Sequence, residues 1–240
     1  MSDQSEQAIR ESKRRAARAA VEMVPNGAVL GLGTGTTAEI MLEELAERVR
    51  QGLSVTGVAT SERTKALARS LSIPMTDLNN VRDLTMSIDG ADEVTLPDLG
   101  LIKGHGGALL REKLVASSSR YRIIIVDSSK LVMTLTSHHT VPVEVVPFGW
   151  RHTVARLEAL GAQVTLRMTG TDPAETTVRP FTTDGGHYIL DCRFMPATET
   201  VRMAERIKCL TGVIEHGLFL NMTERVIVGD PEQVKVYDRP

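Results

Sequence analysis

Ala28-Val-Leu-Gly-Leu-Gly-Thr-Gly-Thr-Thr37 is the stretch that decides the fold. Ala28 to Gly33 is a short apolar run of the type that forms a parallel strand buried on both faces. From Thr36 to Arg50 the pattern changes, and Ile40, Leu42, Leu45 and Val49 recur at helical spacing. A strand, a Gly-Thr loop and a helix in succession open an α/β sheet. Upstream, residues 5–24 read as a helix with Ile9, Ala16, Ala20, Met23 and Val24 near one face, ended by Pro25-Asn-Gly27. Downstream, strands are expected at 55–60, 84–88 and 120–127, and helices at 62–71 and 107–117. Such alternation predicts an open, Rossmann-like parallel sheet with helices on both faces, whose ligands bind beyond the carboxyl ends of the strands.

The pattern changes again after residue 136. Strand 142–147, helix 150–160, strands 163–168 and 187–193, helix 199–210 and strand 213–217 follow in βαββαβ order, which is the ferredoxin-like signature. The polar stretch Thr169 to Thr177 is read as a connection, and Val226-Ile-Val228 as one more strand in the tail. The fold class is therefore α/β, a Rossmann-like open parallel sheet domain with a smaller ferredoxin-like α+β domain at 137–217.

Composition bounds the function classes. The chain has 240 residues, 42% of them hydrophobic, which is enough for a substantial core. A formal charge of −2 gives no footprint for nucleic acid or an anionic membrane, and small molecules are the expected partners. Cys192 and Cys209 are too few for a disulfide framework and are expected to be packing residues of a reducing compartment. Apolar runs such as Ile123-Ile-Ile-Val126 fall far short of the ~20 residues of a membrane span. The N-terminus fits neither a secretory signal nor a transit peptide, so cytoplasmic residence is expected.

Three clusters carry chemistry. Gly31-Leu-Gly-Thr-Gly-Thr-Thr37 lets backbone amides approach an anion at a helix N-terminus. Thr36 stands where a dinucleotide fingerprint needs its third glycine, and no acidic residue clearly ends the second strand, so a nicotinamide cofactor is not expected. With hydroxyls at Thr34, Thr36 and Thr37, a single phosphate fits better. In Asp89-Gly-Ala-Asp-Glu93 two carboxylates three apart can face one cleft, though capping, solvation or Mg²⁺ would also suit them. Glu93 is read as structural. In Lys103-Gly-His-Gly-Gly107 and Glu112, the glycines free backbone N–H groups, the lysine supplies charge for a developing oxyanion, and the glutamate reaches a carbon-bound proton. Arg111 and Lys113 are expected to point outward around it. The remaining histidines show no trustworthy metal-ligand spacing.

These three motifs, in this order, closely resemble the A-type ribose-5-phosphate isomerase family. Lys13, Thr60-Ser-Glu-Arg-Thr-Lys65, Val126-Asp-Ser-Ser-Lys130, Pro142-Val-Glu-Val-Val-Pro147 and Thr182-Asp-Gly-Gly185 also fit it, so the resemblance spans essentially the whole chain. It implies a cofactor-independent and metal-independent interconversion of D-ribose 5-phosphate and D-ribulose 5-phosphate in the non-oxidative pentose phosphate pathway, by a homodimer or larger homo-oligomer. It also implies that the tail returns to the first sheet, so that 1–136 and 218–240 form the larger domain. Catalysis would fall to Glu112, Lys103, Asp89 and Asp92. The substrate would be held by Lys13, Thr34, Gly35, Thr36, Thr37, Asp89, Gly90, Ala91, Asp92, Lys103, Gly104, His105, Gly106 and Lys130. His105 stands where glycine is frequent in the family, so its ring either lines the entrance or is merely tolerated. His187 replaces a frequent asparagine. A sugar-phosphate deaminase, a coenzyme A transferase with a glutamate nucleophile, or a sugar-phosphate-binding regulator are the alternatives.

Overall fold

The computed structural model describes residues 3–96, 98–169, 178–195 and 199–239. The chain begins with α1 (Asp3–Glu22), β1 (Ala28–Leu32), α2 (Thr36–Arg50), β2 (Val55–Ala59), α3 (Glu62–Ser70) and β3 (Met86–Asp89). It continues through β4 (Glu93–Val94), β5 (Leu101–Ile102), α4 (Leu109–Ser117) and β6 (Arg122–Asp127). Next come β7 (Val141–Val145), α5 (Trp150–Glu158), β8 (Gln163–Leu166), β9 (Tyr188–Arg193), α6 (Thr200–Lys208) and β10 (Val213–His216). The chain closes with β11 (Leu218–Phe219), β12 (Arg225–Gly229) and β13 (Val234–Asp238). The expected elements are present with ends within two residues, the ordinary scatter of helix and strand termini. The connection expected at Thr169 to Thr177 lies, from residue 170 on, outside the described residues.

The main sheet has the order β13-β12-β6-β3-β1-β2, with β12, β6, β3, β1 and β2 parallel and β13 antiparallel on the edge. β1 lies between β2 and β3, so the chain crosses to opposite sides of β1 there. The crevice outside the carboxyl ends of β1 and β3 is the switch point at which open α/β sheets bind ligands. Alternation along β6 divides the core. Ile123 and Ile125 pack with α1 and α2, while Ile124 and Val126 face Val94, Leu101 and Phe219 on the other side. Helices lie on both faces as expected, but not alone on the second. α1 and α2 cover one face, whereas the other carries α4 and a small antiparallel sheet, β11-β5-β4, whose two-residue strands leave no periodicity to read.

The second sheet, β10-β7-β9-β8, is antiparallel throughout. With α5 and α6 it encloses its own core of Val141, Val143, Val145, Leu157, Leu190, Cys192 and Ile207. Cys192 is a packing residue as expected, but Cys209 is exposed. The buried Glu144 in β7 accepts from Thr183 Oγ1 at 2.8 Å and lies 2.9 Å from His187 Nδ1, which occupies the histidine at this sheet. Between β10 and β11 the chain passes from the second sheet to the small one. There Gly217 O accepts the Lys103 N–H at 2.8 Å, so the seam of the two sheets runs beside the lysine.

Candidate active site

The loop after β1 is shaped by its neighbours as much as by an anion. A Cβ on Gly33 would come within 2.1 Å of Asp89 Oδ1, so glycine is required there to let the β3 carboxylate in. Gly35 has φ +116°, a conformation that residues with side chains rarely adopt, and no side chain caps the N-terminus of α2. The first-turn amides of α2 are therefore free for an anion. Lys13 reaches across from α1, its Nζ donating to Thr36 Oγ1 at 2.9 Å.

Thr34 departs from the expectation that all three threonine hydroxyls face a phosphate. Its Oγ1 turns inward to Thr60 Oγ1 (2.7 Å), Ser61 Oγ (2.8 Å) and Thr64 Oγ1 (3.0 Å). Thr60 and Thr64 donate onward to Leu32 O and Gly33 O, both at 3.0 Å. Four hydroxyls thus tie the end of β1 to the start of α3, and the Thr34 hydroxyl is taken up by that cluster. The Thr60-Ser-Glu-Arg-Thr segment carried this signal in the sequence, but only the fold shows where its hydroxyls point.

Behind the loop stands the charged centre. Lys103 Nζ lies 3.0 Å from Asp89 Oδ2 and 3.4 Å from Glu112 Oε2, and donates to Gly90 O at 2.6 Å. Lys103 follows β5 of the small antiparallel sheet and not a strand of the main sheet, so it reaches the centre from a different layer than Asp89. Asp89 ends β3 and takes the Thr34 and Gly90 N–H groups on Oδ1, at 3.2 and 2.7 Å. Glu112 sits in the first turn of α4, buried, with Oε2 making no hydrogen bond. Burial pushes its carboxyl up to about 8; the Lys103 charge opposes this, and Asp89 and Asp92 add to it. Burial works against the Lys103 charge as well, but the carboxylates of Asp89 and Glu112 outweigh it and hold the ammonium above its ordinary range.

A cleft of about 110 Å³ joins loop and charges. It is lined by Lys13, Thr34, Gly35, Thr36, Thr37, Gly90, Ala91, Asp92, Lys103, Gly104, Gly106, Glu112 and Lys130. Asp89 is not among the lining residues and meets the cleft through Lys103, 3.0 Å away. His105 does not line the cleft: its ring Nε2 is 3.1 Å from Thr140 O and it stacks edge-on to His139. Its backbone N–H instead donates to Asp92 Oδ2 at 3.1 Å, so Asp92 both lines the cleft and holds the glycine loop. Glu93 is structural, with its buried carboxylate accepting the N–H groups of Thr136, His138 and His139. No group of three or more His, Cys, Asp or Glu arranged to hold a metal ion occurs among the described residues.

Of the two cations flanking Glu112, Arg111 faces outward and pairs with Glu62 at 2.8 Å. Lys113 does not. It is largely buried against the Phe219 ring and donates to Glu215 Oε1, His216 O and Leu218 O at 2.9, 2.6 and 3.0 Å. Burial brings its ammonium down to about 8 despite Glu215. Three acceptors on the β10–β11 crossing reward that burial, an outcome invisible to helical periodicity.

A buried carboxylate with a near-neutral pKa, an ammonium beside it and an uncapped helix N-terminus across one small polar cleft define an acid–base enzyme for a small anionic substrate. The comparisons narrow this class. Residues 56–233 match the family model for ribose 5-phosphate isomerase A (phosphoriboisomerase A). The ribose-5-phosphate isomerase A of Gloeobacter violaceus is 51% identical over 93% of this chain and 94% of its own, and that of a Synechococcus strain 49% identical over 94% and 96%. Among solved structures, ribose 5-phosphate isomerase A from Methanocaldococcus jannaschii superposes with a TM-score of 0.89 at 35% identity, covering 95% of this chain and 98% of that one. A D-ribose-5-phosphate isomerase in complex with phospho-erythronic acid gives 0.91 at 36% identity, covering 96% and 99%. The chain belongs to the ribose 5-phosphate isomerase A family.

Proposed function

We propose that this cleft performs the family's reaction, the interconversion of D-ribose 5-phosphate and D-ribulose 5-phosphate, by proton transfer through a cis-enediolate. Glu112, as carboxylate, takes the C2 proton of the opened aldose and returns it at C1. A pKa near 8 suits both halves of that task, since the group must be a base in one step and an acid in the next. Lys103 and the N–H groups of the Gly104–Gly106 loop stabilise the oxyanion. Asp89 and Asp92 hold hydroxyls and relay the oxygen-bound protons. The phosphate sits on the Thr34–Thr37 loop at the uncapped start of α2, with Lys13 and Lys130 as its cations. The observation that carries this reading is Glu112 Oε2, buried and without a hydrogen bond, in a cleft also lined by the uncapped start of α2.

The deciding experiment assays ribulose 5-phosphate formation from ribose 5-phosphate after exhaustive chelation, for the parent and Glu112→Gln. The parent should be active without metal or nucleotide and the variant nearly inert. Restoration of a chelated, inactive parent by Mg²⁺ or Zn²⁺ would overturn the proton-transfer reading.

Three coarser inferences accompany it. The separate cores of the two larger sheets support a division into 1–136 with 218–240 and 137–217. The family resemblance supports a homodimer or larger homo-oligomer, which sedimentation would test. It also supports cytoplasmic work in the non-oxidative pentose phosphate pathway; among the described residues no helix is long and apolar enough to cross a membrane.

A further inference from the structure

We propose that Arg167, carried by the second sheet, is a positioning residue for the isomerisation: it sets the orientation of the Gly104–His105–Gly106 peptides that meet the substrate oxygens. The inference rests on the functional reading given above. Arg167 Nη1 donates to Gly104 O at 2.9 Å and to His105 O at 3.1 Å. Its Nε and Nη2 are occupied by the two carboxylate oxygens of Asp191 in β9, at 2.9 and 2.5 Å. The base is rigid, because the Arg167 N–H donates to Ile189 O and its own carbonyl accepts from Phe181 N–H, both at 2.9 Å. A planar guanidinium held bidentately by a carboxylate presents its remaining donors in a fixed direction.

The consequence follows from the planar trans peptide, in which a carbonyl and the next N–H point opposite ways. Drawing Gly104 O toward Arg167 turns the His105 N–H the other way, and there it donates to Asp92 Oδ2. Drawing His105 O toward Arg167 likewise turns the Gly106 N–H away from the guanidinium. No acceptor among the described residues takes that N–H, and Gly106 lines the cleft. Glycines at 104, 106 and 107 give the loop little preference of its own, and its one internal bond, Gly107 N–H to Gly104 O at 3.0 Å, leaves the His105 carbonyl to be oriented from outside. Arg167 imposes it from more than sixty residues away, which makes the second sheet a working part of the site.

The test compares the parent with Arg167→Ala, Arg167→Lys and Asp191→Asn. Arg167→Ala should lower kcat on the order of 10²-fold, the scale of a misplacement of about 1 Å, while KM changes much less. Phospho-erythronic acid, whose carboxylate presents one negative charge over two neighbouring oxygens where the enediolate would carry its own, should lose affinity by a comparable factor. Inorganic phosphate, held by the separate α2 loop, should compete as before. Arg167→Lys keeps the charge but lacks the fork and should behave in the same way, and it carries the test where Arg167→Ala does not fold. Asp191→Asn should produce a smaller loss of the same pattern. Folded variants with parental kcat and parental aldonate affinity would overturn the proposal, as would equal losses for aldonate and phosphate. A parent without isomerase activity would instead overturn the functional reading beneath it.

Discussion

The Lys103 ammonium lies 3.4 Å from Glu112 Oε2, and the two side chains are only 4% and 3% exposed. With Asp89 at 3.0 Å, one buried cation stands between two carboxyls. Lys103→Met would leave both carboxyls buried without their counter-charge, and breaking a buried pair in this way typically costs about 3–5 kcal/mol. Urea unfolding at pH 8 should register that loss. Turnover should fall by roughly 10²- to 10³-fold, as when an oxyanion donor is removed. An effect confined to KM would make Lys103 a binding group only.

The raised pKa of Glu112 has two readable pH effects. Because the base must be ionised, kcat/KM should rise with pH along an acid limb centred near 8 in the free enzyme. For stability the sign is set by a carboxyl whose folded pKa lies above its unfolded one. The folded state binds the extra proton, so stability is fully present below the ordinary value of 4.5 and is lost as pH rises through about 8. Glu112→Gln has no such dependence at this site. Its urea midpoint should therefore gain on the parent's between pH 5 and 9, and a gap that stays constant would mean that Glu112 titrates normally.

Thr34→Val tests the hydroxyl cluster beneath the Thr34–Thr37 loop, the proposed phosphate site. The swap keeps the shape but deprives Thr60, Ser61 and Thr64 of a shared partner, a loss worth about 1–3 kcal/mol when buried polar groups are left unsatisfied. The loop should loosen, raising KM and weakening competition by inorganic phosphate while kcat changes little. If Thr34→Val instead matched the parent in phosphate affinity, the cluster would be holding only α3.

What the sequence revealed depended on how local each signal was. The five parallel strands were legible because buried apolar runs such as Ile123–Val126 are continuous, and the βαββαβ order of the second half because its periods alternate cleanly. β4, β5 and β11 escaped because two residues carry no period, and β13 because its residues are intermediate or exposed, with Val236 half exposed. At the site, Gly33, Lys103 and Glu112 could be picked out from residue type and spacing. The inward Thr34 hydroxyl, the largely buried Lys113 and the reach of Arg167 could not, since each is decided by a partner 26 or more residues away.

The proton step itself can be isolated at Glu112. Gln keeps the size and the hydrogen-bonding capacity while removing the proposed base, and the proposed phosphate loop lies on other elements, so fold and phosphate affinity should persist. General-base catalysis alone is usually worth roughly 10² to 10⁴ in rate. A larger fall is expected here because the same carboxyl is assigned two transfers, from C2 and to C1. In D₂O the parent should carry deuterium into the sugar, whereas Glu112→Gln should leave the C2 proton of ribose 5-phosphate in place over many parental turnovers, as followed by proton NMR. Asp89→Asn is the control, since Asp89 meets the cleft through Lys103 and its Oδ1 already holds two backbone N–H groups. It should slow turnover yet retain measurable exchange. Parental exchange in Glu112→Gln together with none in Asp89→Asn would move the base to Asp89 and leave Glu112 as a charge partner of Lys103.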